Sequence, residues 1–207
     1  MLFSPACERN RQPILEVLQD WLQPGSRVLE IGSGSGQHAR FFCSRIALDW
    51  QTSERREALV DLSKALSQHD PSLPLAAGSQ LPAPLPLDVT RPEDWPRSSY
   101  DAVFTANTCH IMPAAALPEL LAGSCRVLRP GGLLLLYGPF HDHGVHTAAS
   151  NAAFDAHLRS LDPQMGVRDA AALQEMARGL GLEPLADVAM PANNRMLILR
   201  AACVASG

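Results

Sequence analysis

The stretch "VLEIGSGSGQHARFF", from Val28 to Phe42, decides the fold. An apolar run typical of a β-strand ends in Glu30 and breaks into three alternate glycines, Gly32, Gly34 and Gly36. Glycine lacks a side chain, so it lets a ligand approach the backbone closely and lets the chain adopt positive φ. The stretch therefore predicts a strand, a ligand-binding turn and a helix, in that order.

The size and composition of the chain fit one compact domain. It has 207 residues, of which 46% are hydrophobic, enough for a sizeable core but not for a second full domain. We predict a single domain over residues 1–207, with residues 1–24 as an N-terminal lid and helix. The net charge of -4 supplies no broad basic field, so we expect a small-molecule partner rather than nucleic acid. Composition leaves the oligomeric state open.

The cysteines and the hydropathy of the chain indicate a reducing compartment. The five cysteines are Cys7, Cys43, Cys109, Cys125 and Cys203. Their odd number and wide spacing argue against a disulfide framework or a zinc site, so buried reduced thiols are predicted. No apolar run approaches the about 20 residues of a membrane span, and the opening "MLFSPACERNRQ" lacks a secretory signal's apolar stretch. We expect a cytoplasmic protein with no membrane partner.

Segments with helical periodicity alternate with segments typical of strands along the chain. Predicted helices lie near 14–22, 37–45, 55–69, 113–128, 152–161 and 170–179, and predicted strands near 27–31, 46–54, 84–89, 100–107, 133–138, 183–190 and 195–201. This order predicts an α/β fold with a doubly wound, Rossmann-like sheet, mostly parallel, that ends in a C-terminal antiparallel hairpin. Ligands of such sheets bind beyond the carboxyl ends of the strands, where the strand order reverses.

A dinucleotide-binding turn is one interpretation of the glycine-rich stretch. Its fingerprint, GxGxxG, would need a glycine at position 37, where this chain has Gln37. The spacing therefore disfavours an NAD(P)-dependent oxidoreductase, which stays open as an alternative.

The spacing Glu30-x-Gly32-x-Gly34-x-Gly36 resembles the first motif of the class I S-adenosylmethionine-dependent methyltransferases. The resemblance implies that this turn, with Ser33, binds the amino-acid and ribose parts of S-adenosylmethionine as cofactor. It also implies that an acid such as Glu30 suits the ammonium group of that cofactor.

Acidic and amide residues at the ends of later strands extend the resemblance. Glu54 closes the second strand, 18 residues after Gly36, where a carboxylate can accept both ribose hydroxyls. The resemblance places Asp88 at the adenine edge and Asn107 near the methyl group. Simple capping of strand ends and turns is the alternative for Glu54 and Asp88.

A narrower resemblance covers nearly the whole chain. The segments that carry it are "SPACERNRQPIL", "WQTSE", "LYGPF", "SNAAFDAHL", "GVRD" and "MPANN". They are similar to the family catalogued as domain of unknown function 938, which includes methyltransferase-like protein 26. The resemblance implies a class I methyltransferase fold and S-adenosylmethionine, with no established substrate. Glu54 stands where that family more usually has aspartate, and Thr52 where it commonly has proline, which implies a longer or displaced ribose contact.

Three residues are predicted to act on the reacting groups. His110 lies three residues beyond Asn107, and its ordinary pKa near ~6.5 suits it to accept a proton from a hydroxyl or amine. Tyr137 follows the fifth strand at the same edge of the sheet. A structural histidine bonded to backbone is the alternative for His110.

A further set of polar residues is predicted to bind the methyl acceptor, because the topology sends their segments to one edge of the sheet. The set is Arg9, Asn10, Asn151, Asp155, Arg168 and Asn193. Arg9 and Asn10 precede the first predicted helix and are expected to form a lid. Helix capping by Ser150, Asn151 or Asp169, and a hairpin turn at Asn193, are the alternatives.

The run "HDHGVH", residues 141–146, has a spacing that could bind a divalent metal. A solvated loop with no metal is the prediction, because nothing else in the sequence fixes a ligand geometry there.

The resemblance and these residues predict S-adenosylmethionine-dependent methyl transfer to an oxygen, nitrogen or sulfur atom of a small polar acceptor. A non-catalytic protein that binds the same cofactor is the main alternative, since it would share every cofactor motif.

Overall fold

The computed structural model describes residues 3–68 and 72–202, so Cys203 lies outside the described residues. The helices are α1 (Pro5–Trp21), α2 (Gln37–Cys43), α3 (Leu59–Ser67), α4 (Leu117–Val127), α5 (Ala149–Leu161) and α6 (Ala170–Gly179). The strands are β1 (Arg27–Ile31), β2 (Asp49–Glu54), β3 (Leu85–Pro86), β4 (Tyr100–Ala106), β5 (Leu128–Gly138), β6 (Phe140–Asp142), β7 (Val145–His146), β8 (Arg168–Asp169), β9 (Leu182–Met190) and β10 (Asn194–Ala201). In this part of the chain, each helix is too short or too polar to cross a membrane.

Seven strands form the main sheet, in the order β3-β2-β1-β4-β5-β10-β9. Strands β1 to β5 pair in parallel, whereas β10 pairs antiparallel with both β5 and β9. The chain builds outward from β1 to β3 and then returns to place β4 on the other side of β1. This order confirms the predicted doubly wound sheet with its C-terminal hairpin, and it puts the reversal of strand order between β1 and β4.

Helices cover both faces of the sheet, so its central strands are apolar on both sides. Leu133 to Leu136 alternate between the two faces and are all buried. One core layer packs under α1 and α2 around Phe42, Trp50 and Phe104. The other packs under α4 and α6 around residues such as Leu120. The described cysteines are free, and Cys43 and Cys109 are fully buried.

The first helix begins earlier than predicted, at Pro5 rather than near residue 14. The Ser4 hydroxyl accepts a hydrogen bond from the Cys7 amide, and Pro5 suits the first turn because it has no amide hydrogen to satisfy. Arg9 and Asn10 therefore lie within α1 and do not precede it, which corrects the prediction.

A second, three-stranded sheet was not predicted from the sequence. Strand β6 pairs antiparallel with β7 and parallel with β8, so residues 141–146 form a tight hairpin rather than a loop. The guanidinium of Arg195, on β10, donates hydrogen bonds to Asp142 of this hairpin and to Asp187 of β9. That pair of contacts joins the small sheet to the main one.

The two edges of the main sheet are irregular. Strand β3 has two residues and ends in Pro86. Strand β9 contains Pro184, exposes Glu183 and Asp187, and shifts register against β10 between Ile198 and Leu199.

Candidate functional site

A cleft of about 1080 Å³ opens at the carboxyl ends of the central strands. Its floor comes from the turns after β1, β2 and β4. Its walls come from the first turns of α1, the start of α5 and the turn between β9 and β10. The cleft lies at the reversal of strand order, which is where the topology predicts a ligand site.

The glycine-rich turn enters this cleft at Gly32, Ser33 and Gly34. Gly34 has a φ of +55°, and a Cβ atom added there would point into open space. The Ser33 amide donates to the Ser53 carbonyl at 2.9 Å, and the Ser33 hydroxyl accepts from the Ser53 amide at 3.1 Å. The turn is therefore fixed against β2 and leaves backbone free for a ligand to approach.

Gly36 has a different reason to be glycine. Its φ is +70°, and a Cβ atom there would stand 2.6 Å from the Leu66 Cδ2 atom of α3. It does not line the cleft. The third glycine of the motif therefore serves the close packing of α2 on α3 and not ligand contact.

Glu54 ends β2 with its carboxylate at the cleft. One oxygen accepts a hydrogen bond from the Gly34 amide at 3.0 Å, and the other accepts from the Arg55 amide at 2.9 Å. These bonds fix one oxygen against the glycine turn and the other against the start of the next loop. A carboxylate held in this way can accept hydrogen bonds from two neighbouring hydroxyls.

Asp88 lines the same end of the cleft but already has local partners. Its Oδ1 atom accepts from both the amide and the hydroxyl of Thr90, at 3.0 and 2.7 Å. These hydrogen bonds lower the pKa of Asp88. Asp88 therefore caps its own turn, as the alternative interpretation predicted, and it also lines the cleft.

Glu30 lies beneath the glycine turn rather than in the cleft, and it is 1% exposed. It accepts a hydrogen bond from the Trp50 indole at 3.0 Å, and the His38 ring lies 4.0 Å away. Burial raises the pKa of Glu30 to about 7 and lowers that of His38 to about 4. Glu30 therefore supports the turn from below.

The start of α1 is fastened over the glycine turn. Gln37 accepts from the Ser4 amide at 2.6 Å and donates to Glu8 at 2.7 Å. Asn10, which is buried, contacts the His38 ring at 2.7 Å and does not line the cleft. Arg9 does line it. Of the two predicted lid residues, one faces the cleft and the other holds the helix in place.

Asn107 and His110 follow β4 and both line the cleft. Asn107 adopts a φ of +59°, with its amide donating to the Tyr137 carbonyl at 2.8 Å. The His110 Nδ1 atom lies 3.6 Å from the point where Gly138 would carry a Cβ atom. Neither side chain hydrogen bonds to any residue the structure describes. Burial, and then Arg168, lower the pKa of His110 to about 4, so its ring is neutral at physiological pH.

Besides Glu30, Gly36 and Asn10, three more residues predicted for the site are not brought to the cleft. Tyr137 is buried on β5 and does not line the cleft. Arg168 donates to the carbonyls of Cys109 at 2.9 Å and Met112 at 2.6 Å, because β8 lies directly beside the turn that follows β4. Asp155 accepts from the Val167 amide at 2.7 Å and pairs with His146 and Arg159. These side chains hold the walls together.

Asn151 and Asn193 line the cleft and also bond across it. The Asn151 side chain donates to the Asn193 carbonyl at 2.9 Å, and the Asn193 side chain donates to the Ser150 hydroxyl at 3.2 Å. Helix α5 begins after Ala148, so neither Ser150 nor Asn151 is its N-cap. Asp169 does cap α6, as the capping alternative predicted. The asparagines therefore clamp α5 to the hairpin turn.

Two of the histidines in residues 141–146 lie beside carboxylates, and each has a different carboxylate as its neighbour. His141 lies 3.2 Å from Asp169, and His146 lies 3.5 Å from Asp155. Over residues 3–68 and 72–202, no three His, Cys, Asp or Glu side chains come together in a way that could hold a metal ion.

The cleft also contains large apolar side chains that sequence reasoning missed, namely Phe3, Ile111, Met112 and Phe154. Phe154 follows Asn151 by three residues, a spacing that puts both on one face of α5. An aromatic residue three positions after an asparagine in the first turn of a helix was the available signal. That spacing indicates a ligand contact only when the fold shows that this face of α5 lines the cleft.

Comparisons with known proteins agree with this fold. The family model described as "Protein of unknown function (DUF938)" matches residues 1–201. An O-methyltransferase family protein from Burkholderia thailandensis superposes with a TM-score of 0.77 at 17% identity, over 96% of this chain and 58% of that one. Human N-acetylserotonin methyltransferase, solved with its cofactor SAM, gives 0.72 at 15% identity, over 95% and 53%.

A third solved structure is closer to this chain in length. A putative sarcosine dimethylglycine methyltransferase from Galdieria sulphuraria gives a TM-score of 0.71 at 14% identity, over 94% of this chain and 86% of that one. This chain spans somewhat more than half the length of the O-methyltransferases that it matches. At these identities the likeness establishes a shared class I methyltransferase fold.

Proposed function

The chain belongs to the DUF938 family, and we propose that it transfers a methyl group from S-adenosylmethionine to a small acceptor. The proposal includes the kinship of this chain with methyltransferase-like protein 26 and the expected cytoplasmic setting. The observation that carries it is the combination of an open glycine turn at Gly34 with the Glu54 carboxylate 3.0 Å from that turn.

The residues present fit this cofactor. A Cβ atom at Gly34 would occupy the open space beside the turn, which is the approach that a ligand lying on the backbone needs. Glu54 holds the ribose hydroxyls, with Asp88 beside the base, while Gly32 and Ser33 face the amino-acid part. The cofactor, when bound, supplies a methyl group on a positively charged sulfur, and that methyl group needs no further activation.

The chain's remaining task is to align the acceptor and to accept a proton. The acceptor's oxygen, nitrogen or sulfur would take the methyl group from the cofactor, whose sulfur would leave as a neutral thioether. The proton that a hydroxyl, amine or thiol loses passes to a ring nitrogen of His110, which is neutral and free of other partners in the described structure. Asn107, with its strained backbone at φ +59°, is the positioning residue beside it.

The first turns of α1 serve as the proposed lid. They stand over the glycine turn through Gln37, so they exclude water from the cofactor's sulfur when it is bound.

Calorimetry of S-adenosylmethionine binding tests the cofactor assignment. Glu54→Gln removes the charge from a contact to two hydroxyls, so we expect affinity to fall at least about tenfold. Glu57→Gln is the matched control, since Glu57 is exposed on the same loop, pairs with Arg55 and lies outside the cleft. Equal affinities for Glu54→Gln and the wild type would contradict the assignment.

Screening metabolite extracts with methyl-labelled cofactor separates an enzyme from a binder. Transfer of label to any small molecule supports methyl transfer. Tight cofactor binding with no labelled product from any extract would favour the non-catalytic alternative.

A further inference from the structure

The half of the cleft near His110 exposes an unusual amount of apolar surface. Phe3, Ile111 and Phe154 are 61%, 49% and 37% exposed, and all three line this one cleft. Single exposed apolar residues are ordinary, whereas several around one concave site mark a surface for an apolar ligand. This surface meets His110, the proposed proton acceptor.

Phe154 is held in place as a wall. Its ring lies 5.2 Å from the His110 ring, centroid to centroid, at an interplanar angle of 76°. The hydrogen bonds between Asn151 and Asn193 fix the helix that carries it. An aromatic ring inserted here would meet one ring edge-on or face-on without moving the backbone.

Most polar side chains near this half of the cleft are already bonded to protein. Arg168 is bonded to carbonyls, and Asp155 is bonded to an amide and to arginine. The cleft is lined here by Asn107, His110, Asn151 and Asn193, and the amide nitrogens of both Asn151 and Asn193 already donate to protein. A ligand therefore meets apolar side chains together with a few amide and imidazole groups.

Arg9 lines the cleft as an exposed cation. It makes no ion pair or hydrogen bond with any described residue, whereas Arg11, two residues on, pairs with Glu8 at 2.8 Å. Arg55 also lines the cleft, but it pairs with Glu57 at 2.7 Å. Glu54 and Asp88 follow β2 and β3, on the other side of β1 from β4.

We propose that the acceptor is an aromatic carboxylic acid whose ring packs against Phe154 and Ile111 and whose carboxylate binds Arg9. This rests on the proposed function: a hydroxyl or amine on the ring would take the methyl group and lose its proton to His110, while the carboxylate, already ionised, stays on Arg9. Arginine binds a carboxylate through two parallel hydrogen bonds, so it both selects and orients such a ligand.

Calorimetry on the protein saturated with S-adenosylhomocysteine tests this without any turnover. The probes are benzoate, 2-naphthoate and indole-3-carboxylate, each paired with its neutral carboxamide. We expect at least one acid to bind about tenfold more tightly than its amide. Arg9→Gln should abolish that preference, while Arg97→Gln, an exposed arginine outside the cleft, should keep it.

A second variant tests the apolar surface. Phe154→Ala should weaken an acid and its amide alike, by about fivefold or more, because both lose the same ring contact. The proposal is overturned if no acid binds, if amides bind as well as acids, or if Phe154→Ala changes nothing. It is also overturned if Arg9→Gln weakens S-adenosylhomocysteine and leaves the acid preference intact, since Arg9 would then serve the cofactor's own carboxylate. Acid-selective binding without methyl transfer would instead contradict the proposed function alone.

Discussion

The two halves of the cleft are built from different parts of the chain. The half at β1 and β2 consists of backbone from one short turn, Gly32 to Gly34, backed by Ser53 and closed by Glu54. The half at β4 consists of side chains from segments that are far apart in sequence, such as His110 and Phe154. The first half tolerates few changes, because backbone geometry and close packing set it. The second half can change its ligand through single side chains.

The two halves therefore bind their ligands in different ways. A binding surface made of backbone suits a ligand that every relative would share, whereas one made of side chains suits a ligand that differs between relatives. The variants below should therefore act on affinity, stability or turnover according to the half in which they lie.

His110→Ala should show the largest effect, and on turnover alone. A general base contributes about 100- to 10,000-fold, so the rate of methyl transfer should fall by at least about 100-fold. Cofactor affinity by calorimetry should stay the same. Because the pKa of His110 is lowered to about 4, the wild-type rate should stay constant as pH falls from 7 to 5 and decline only near pH 4, as His110 takes up a proton.

His157→Ala is the matched control, since His157 is exposed on α5 and lies outside the cleft. A turnover for His110→Ala equal to that of His157→Ala would break the comparison, because the side chain at β4 would then carry no chemistry.

Gly36→Ala should act on stability. The alanine would be held at a left-handed φ, and its Cβ atom would collide with Leu66. We therefore expect a loss of about 3 kcal/mol in the free energy of unfolding. Gly34→Ala, with the same strain but open space around its Cβ, should lose about 1 kcal/mol and bind cofactor more weakly. Urea denaturation and calorimetry on both variants measure the contrast. Equal losses of stability would mean that packing on α3 does not explain the third glycine.

Glu30 should make the half at β1 sensitive to pH. Its pKa is raised from the ordinary value of 4.5 to about 7, so the folded protein binds this proton more tightly than the unfolded chain does. The stabilisation is therefore complete below pH 4.5 and is lost as pH rises towards 7. Relative to Glu30→Gln, the wild type should lose on the order of 2 kcal/mol across that range.

The neighbouring His38 contributes a pH dependence of opposite sign, because burial lowers its pKa from 6.5 to about 4. That contribution is common to the wild type and Glu30→Gln, so the difference between the two proteins isolates Glu30. Glu119→Gln, an exposed carboxyl on α4, is the control. A stability difference between wild type and Glu30→Gln that is constant with pH would show that Glu30 is ionised when folded.

The main sheet could be predicted from the sequence because its strands are marked locally. The run Leu133 to Leu136 and the glycine turn each identify a strand or a turn within a few residues. The small sheet could not, because β8 has two residues and pairs with β6 across a sequence distance that no local pattern records. The start of α1 was missed because Pro13 resembles a helix boundary, although the helix continues through it.

The site was predictable to the extent that topology alone decides position. Glu54, Asn107 and His110 follow strands, and they do reach the cleft. Tyr137 and Arg168 start from the same edge, but Tyr137 is buried in the core and Arg168 turns to a backbone carbonyl. The direction of a side chain depends on hydrogen-bond partners that the fold brings in from distant segments. A local sequence pattern does not identify those partners.

The irregular edges of the main sheet bear on how the protein behaves at high concentration. Unpaired edge strands can recruit the strand of another molecule, which leads to aggregation. Here Pro86 stops one edge after two residues, and on the other edge Pro184 removes an amide hydrogen while Glu183 and Asp187 place negative charge. We expect concentrated solutions to resist edge-to-edge fibre growth, even while the cleft near Phe154 stays open and apolar.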